Sequence, residues 1–163
     1  RDLVADIADL YRYLLHHPDD APLASEVSHA TSYLMIERAR LGKERLRVVT
    51  DVPKELEELR VPALLLQPLV ENAVKHGIAN RRDGGTITIR ARRDEDTLLL
   101  EVVDRGVGVS LGAPEKGSGI ALDTLRQILA RRFGEEARID LIRYDEQTTA
   151  RVRLPTGALD RTN

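Results

Sequence analysis

The chain has 163 residues, with 25 Lys and Arg against 27 Asp and Glu, four His and no Cys. That length suits one domain with a core of its own, and 42% hydrophobic against 32% charged residues is the balance of a folded chain. One Phe, four Tyr and no Trp are too few platforms for stacking single-stranded nucleic acid, a net charge of −2 gives no broad phosphate footprint despite Arg90, Arg92 and Arg93, and without Cys there is no disulfide, thiol nucleophile or Cys-ligated zinc.

In chain order, Leu3, Ile7, Leu10 and Leu14 recur at helical spacing and predict an amphipathic helix over residues 3–15, ending before His17-Pro18. A second helix is predicted from Ser25, as cap, to Leu41, with Gly42 as its stop. Leu46–Val52 reads as a strand, and Val61–Gly77 as a helix opening at Pro62. Thr86–Arg92 and Leu98–Val103 read as a hairpin turning at Arg93-Asp94-Glu95-Asp96. Gly106 to Gly119 is a glycine-rich loop, Ile120–Phe133 a helix, and Ala137–Arg143 and Thr149–Leu154 a second hairpin. The pattern predicts an α+β fold, a mixed sheet with helices on one face, preceded by a helical arm. The composition changes near residue 44, which divides a helical arm, 1–43, from a body, 44–163. No apolar run reaches the roughly 20 residues of a membrane span. The start, Arg1-Asp2-Leu3, carries neither Met nor a signal peptide, as expected of a piece of a longer chain.

The most informative stretch is Leu64–Gly77. On a helical wheel of about 100° per residue with Glu71 at the origin, Lys75, Asn72 and His76 fall within about 140°. Leu66, Leu69, Val70, Ala73 and Val74 occupy the opposite face. One face packs on the sheet; the other gathers a carboxylate, an amide, an amine and an imidazole. A solvated polar face is the ordinary alternative, but Pro68 inside a helix would cost about 3 kcal/mol, and such local violations gather at sites or strained turns. Farther on stand Asp104-Arg105-Gly106-Val107-Gly108 after a strand and Gly117-Ser118-Gly119 before a helix. The dinucleotide fingerprint fails, because its third glycine would fall at Leu111 or Leu122, and no Gly-Lys-Ser/Thr exists for a P-loop. What remains is a helix start at Gly119 with free N–H groups that attract phosphate.

This ordered set resembles the N, G1 and G2 boxes of the GHKL superfamily of ATP-binding domains. More narrowly, Leu66-Gln67-Pro68-Leu69-Val70-Glu71-Asn72-Ala73-Val74-Lys75-His76-Gly77 resembles the N box of LytS-type sensor histidine kinases. Ser32–Leu41 resembles that family's second core helix and Tyr11–Leu14 the segment preceding it. The resemblance implies a two-layer α/β sandwich, ATP and Mg²⁺ as cofactors, and transfer of the γ-phosphoryl group to a histidine and then to a response regulator. It implies Asn72 as magnesium ligand, Glu71 as acid/base partner of the attacking imidazole, and Lys75 and His76 at the phosphates. Asp104 would accept from the adenine amino group. Gly106 and Gly108 would let backbone pass the base, and Gly117, Ser118 and Gly119 would do so at the phosphates. Thr148 matches a family threonine near the adenine, with an ordinary strand threonine as the alternative.

Ala121 and Gln147 stand where the family commonly has glycine, and the short stretch from Ser110 to Lys116 is the expected ATP lid. The family's acceptor segment, similar to Asn-Pro-His-Phe-Leu-Phe-Asn, has no counterpart among these residues, and His16, His17 and His29 do not match it. The expectation is therefore an ATP-binding catalytic region whose acceptor lies elsewhere, belonging to a homodimeric, membrane-anchored bacterial sensor with its catalytic end in the cytoplasm. Within the fragment, neither nucleic-acid nor membrane contact is expected. A serine kinase of the anti-sigma-factor type shares Asn-Ala-x-x-His-Gly, and a non-enzymatic domain of the same fold is a third reading.

Overall fold

A computed structural model describes residues 16, 19–106 and 119–159. The predicted first helix, the Ser110–Lys116 lid, Gly108, Gly117 and Ser118 lie outside the described residues. Five strands form one sheet in the order β2-β4-β5-β7-β6: β2 (Leu46–Asp51), β4 (Gly85–Asp94), β5 (Thr97–Gly106), β6 (Arg138–Tyr144) and β7 (Gln147–Pro155). β2 runs parallel to β4 and the other pairs are antiparallel, so the sheet is mixed. A short ribbon pairs β1 (Asp20–Pro22) with β3 (Arg60–Pro62). The helices are α1 (Leu23–Leu41), α2 (Gln67–Asn72) continued by a π-helical turn (Ala73–Ile78), α3 (Gly119–Phe133) and α4 (Thr156–Leu159).

Alternation in the strands sorts the two faces. Ile87, Ile89, Leu98, Leu100, Val102 and Val152 are all at most 1% exposed, and join Leu34, Leu69, Val70 and Leu129 of the helices in one core. The other face carries a row of charge across the strands. Arg90 pairs with Asp51 at 3.5 Å and Glu101 at 3.8 Å, and Arg151 with Glu101 at 2.7 Å. Arg92 also bonds Asp51. Arg90 and Arg92 are therefore matched by carboxylates on neighbouring strands, while Arg93 donates to the Glu95 carbonyl at 3.2 Å. Both hairpins close through two-residue turns whose first residue, Glu95 or Asp145, has positive φ, as the twist of paired strands favours.

Three local expectations are corrected. The second helix starts at Leu23, not at a Ser25 cap. Its first donors are filled by backbone, Leu23 N–H to the Leu59 carbonyl at 2.8 Å and Ala24 N–H to that of Glu57 at 2.9 Å. Pro62 does not open a helix; it pairs with Asp20 in the ribbon, and helix begins only at Gln67. Pro68 is thereby in the first turn, where its missing N–H removes no helical bond, so the penalty assigned to an interior proline does not arise. Gly42 does end α1, at φ 110, with its N–H donating to the Arg38 carbonyl at 3.0 Å.

One long-range tie joins the first strand to α3. Arg132 donates to both carboxylate oxygens of Asp20 at 2.6 Å, and Asp20 is 3% exposed. Breaking a buried pair leaves a charge or donor uncompensated. Asp20→Ala is expected to lower unfolding free energy by about 3 kcal/mol, measured by urea denaturation; a change below about 0.5 kcal/mol would show that solvent replaces the carboxylate.

Candidate nucleotide site

The site grows from two adjoining elements, the helix after the Leu64–Leu66 turn and the end of β5. Glu71 is exposed and accepts a hydrogen bond from Gln67 Nε2 at 2.7 Å, one helical turn back. Asn72, the last residue of α2, is half-buried. Beyond it the helix widens: the Ala79 N–H donates to the Val74 carbonyl five residues earlier at 2.8 Å. A wheel at a constant 100° does not hold through such a turn, and π turns are frequent at functional positions. Lys75 and His76 lie within it, Lys75 exposed and His76 half-buried.

Gly77 closes that turn against β5. A Cβ placed there would stand 2.2 Å from Asp104 Oδ1 and 2.8 Å from Asp104 Cβ, so only glycine permits the approach. Asp104 is 5% exposed. Burial pushes its carboxyl up to about 7, against the opposing pull of the Arg143 and Arg81 guanidinium charges. Register places Ile87 on one side of Asp104 and Thr148 on the other, with Arg143 next beyond Thr148. Directly paired residues share a face, so the carboxyl and the Thr148 hydroxyl belong to one row on the helix-covered side. Gly106 ends β5, its N–H donating to the Glu146 carbonyl at 3.1 Å. A Cβ there would meet Arg81 Cγ and Nε at 2.7 Å, so Arg81 lies across the glycine.

The fold thus brings Gly77 and Thr148 to Asp104, with Gly106 two residues farther along β5 and Lys75 and His76 on the same π turn as Gly77. Gly119 is the first residue of α3. Ala121 is exposed on that helix, and Gln147 is exposed opposite Arg105. His16 is exposed and His29 half-buried on α1. Arg81 and Arg143 were missed by sequence reasoning. Alternation does put Arg143 on the same face as Ile139 and Leu141, an odd place for a charge, whereas Arg81 sits in an irregular loop that carries no periodic signal.

These residues fit an adenine nucleotide. A buried carboxyl in register with a hydroxyl offers acceptors to a base bearing an amino donor. Among the described residues no three His, Cys, Asp or Glu side chains cluster as metal ligands. The half-buried Asn72 amide offers a hard oxygen donor of the kind Mg²⁺ accepts beside phosphate and water. No helix of the described residues is long and apolar enough to cross a membrane.

The model of a family described as histidine kinase-, DNA gyrase B-, and HSP90-like ATPase matches residues 58–158. The sensor histidine kinase BtsS of Escherichia coli (strain K12) is 36% identical over 156 residues, covering 94% of this chain and 27% of that protein. The sensor protein LytS of Bacillus subtilis (strain 168) is 33% identical over 131 residues, covering 74% of this chain and 22% of that protein. The chain spans about a quarter of the length of these relatives. The catalytic domain of histidine kinase ThkA superposes with a TM-score of 0.60 at 17% identity, covering 84% of this chain and 96% of that one. ThkA in complex with the response regulator protein TrrA gives 0.59 at 16% identity, covering 97% of this chain and 49% of that one. At such identities the superpositions establish the shared fold.

Proposed function

The chain belongs to the histidine kinase-, DNA gyrase B-, and HSP90-like ATPase family, as the catalytic ATPase region of a sensor histidine kinase, and from that premise we propose that it presents the γ-phosphoryl group of ATP to a histidine outside these 163 residues. The phosphoryl group then passes to a response-regulator aspartate. The observation that carries this reading is the buried Asp104 carboxyl, held against Gly77 and in register with Thr148.

Bound Mg·ATP supplies the transferable phosphoryl group and neutralises charge on the phosphate oxygens. The protein's own work is to bind and position. Asp104 accepts from the adenine amino group and Thr148 contributes its hydroxyl beside it. Gly77 and Gly106 keep side chains out of the base's path, a role extended to Gly108. Asn72 gives its amide oxygen to the cation. Lys75 and His76 approach the phosphates from the π turn, and Glu71 serves the attacking imidazole as its acid/base partner. Gly117, Ser118 and the N–H groups at Gly119 complete the phosphate contacts.

In this reading residues 1–43 are an arm of a homodimeric, membrane-anchored sensor, and residues 44–163 its cytoplasmic nucleotide-binding body. Incubation with γ-labelled ATP tests it. The chain alone is expected to bind ATP without becoming labelled, and an acceptor segment of the parent protein supplied in trans is expected to gain acid-labile label. Label on His16, His17 or His29 would place the acceptor inside this chain and contradict the assignment.

A further inference from the structure

Glu26 is a carboxylate 1% exposed within the apolar contact of α1 with the body. None of the chemistry above uses it. Its Oε1 accepts the Leu64 N–H at 2.7 Å and its Oε2 accepts the Leu66 N–H at 3.0 Å. A buried carboxylate is costly unless its lone pairs are filled, and here two main-chain donors from a segment 38 and 40 residues away fill them.

Those donors lie where α2 is launched. Leu64 stands at φ 61, a left-handed conformation that a branched side chain adopts only when its surroundings impose it. Leu66 is the residue from which α2 starts, and no side chain of α2's own sequence caps it. The Leu66 carbonyl accepts from Leu69 at 3.1 Å and Val70 at 3.0 Å, so the first helical turn hangs from it. Leu65 and Leu66 are fully buried, so the turn cannot shift without moving the core. The angle and height at which α2 leaves this turn decide where Glu71, Asn72, Lys75 and His76 stand relative to Asp104, which is fixed separately in the sheet.

We propose that Glu26 is a positioning residue for the nucleotide site: by pinning the Leu64–Leu66 turn to α1, it sets the helix that faces the phosphates and the cation. The proposal rests on the nucleotide-binding reading above. It separates two kinds of contact: those to the phosphates and the cation, made by side chains carried on α2 and its π turn, and those to the base, whose Asp104–Thr148 row is held by sheet pairing.

That division is what an experiment reads. Glu26→Gln keeps the shape of the side chain but turns one acceptor into a donor facing an N–H. In calorimetric titrations of the whole chain with Mg·ATP and with adenosine, the variant is expected to bind Mg·ATP about ten-fold more weakly. Adenosine, which has no phosphates and whose acceptors Asp104 and Thr148 are held by sheet pairing, is expected to change less than about two-fold. Equal loss for both ligands would mark a general loosening and overturn the proposal, as would unchanged Mg·ATP binding. Should Glu26→Gln not fold, Glu26→Asp, which keeps the charge but withdraws the oxygens by one methylene, carries the same comparison. Failure of both to fold would assign Glu26 to the core alone and overturn the proposal. A wild-type chain that binds neither ligand would instead overturn the nucleotide reading, so the two failures are distinct.

Discussion

Asp104→Asn is expected to weaken ATP binding by about ten- to a hundred-fold, the worth of a charge-assisted hydrogen bond, while leaving the domain at least as stable as the wild type. Both halves follow from one fact: the carboxyl is buried and its pKa is pushed up to about 7 by that burial. In the unfolded chain the same group titrates near its ordinary value of 3.8. As pH rises from about 4 to about 7, the unfolded state gives up this proton while the folded state keeps it. Stability conferred by the neutral form therefore falls across that window, and above about 7 the folded state bears the full cost, on the order of 4 kcal/mol. The asparagine variant has no such cost, so its stability near pH 8 should exceed that of the wild type in urea titrations. Binding runs the other way. The ionised carboxylate is the better acceptor for an amino group, so affinity for adenosine, which has no phosphate to titrate, should rise as pH climbs from about 6 towards 7 and level off above it. Asp104→Asn should abolish that rise. A variant that binds ATP as the wild type does would remove Asp104 from the site.

The second large effect is expected at Gly77. Alanine there would bring a methyl carbon to 2.2 Å from Asp104 Oδ1 and 2.8 Å from Asp104 Cβ. The carboxyl end could swing, but the Cβ is fixed by the backbone of β5, a strand paired on both sides. The π turn or the strand must therefore give way. Overpacking of this kind costs about 1–3 kcal/mol, and it acts at the place where the adenine carboxyl is aimed. Gly77→Ala is expected to remain folded by circular dichroism, lose about 1–3 kcal/mol of stability, and lose at least ten-fold in ATP affinity. Unchanged affinity in a folded variant would mean that the close approach of Gly77 to Asp104 does not shape the site.

The strands of the five-stranded sheet were legible from apolar alternation bounded by turn residues, and β4 through β7 all lie within a few residues of their predicted spans; the three-residue β1 and β3 were not foreseen. Asp104, Thr148 and the polar string from Glu71 to His76 were legible as a motif, and the fold puts Asp104 and Thr148 in register. Pro62 shows where local signals fail. A proline ahead of an apolar run reads as a helix start, yet its partner is Asp20, 42 residues earlier, and ribbon pairing at that distance leaves no periodic trace. Pro68 was read as a violation only because the helix was drawn from the wrong residue. The π turn is invisible to a wheel that assumes constant pitch. Glu26 carried no signal in the sequence. Its significance depends on two backbone donors some forty positions away, and no pattern within α1 could disclose them.

The Asp104 row is assigned to the adenine. Titration calorimetry of the chain with Mg·ATP and Mg·GTP under identical conditions tests it most directly. Adenine offers an amino donor where guanine offers a carbonyl oxygen, which a carboxylate repels. Saturable ATP binding is expected, with a loss of at least ten-fold for GTP, a preference that Asp104→Asn erases. Equal affinity for the two nucleotides, or no binding at millimolar ATP, would contradict it.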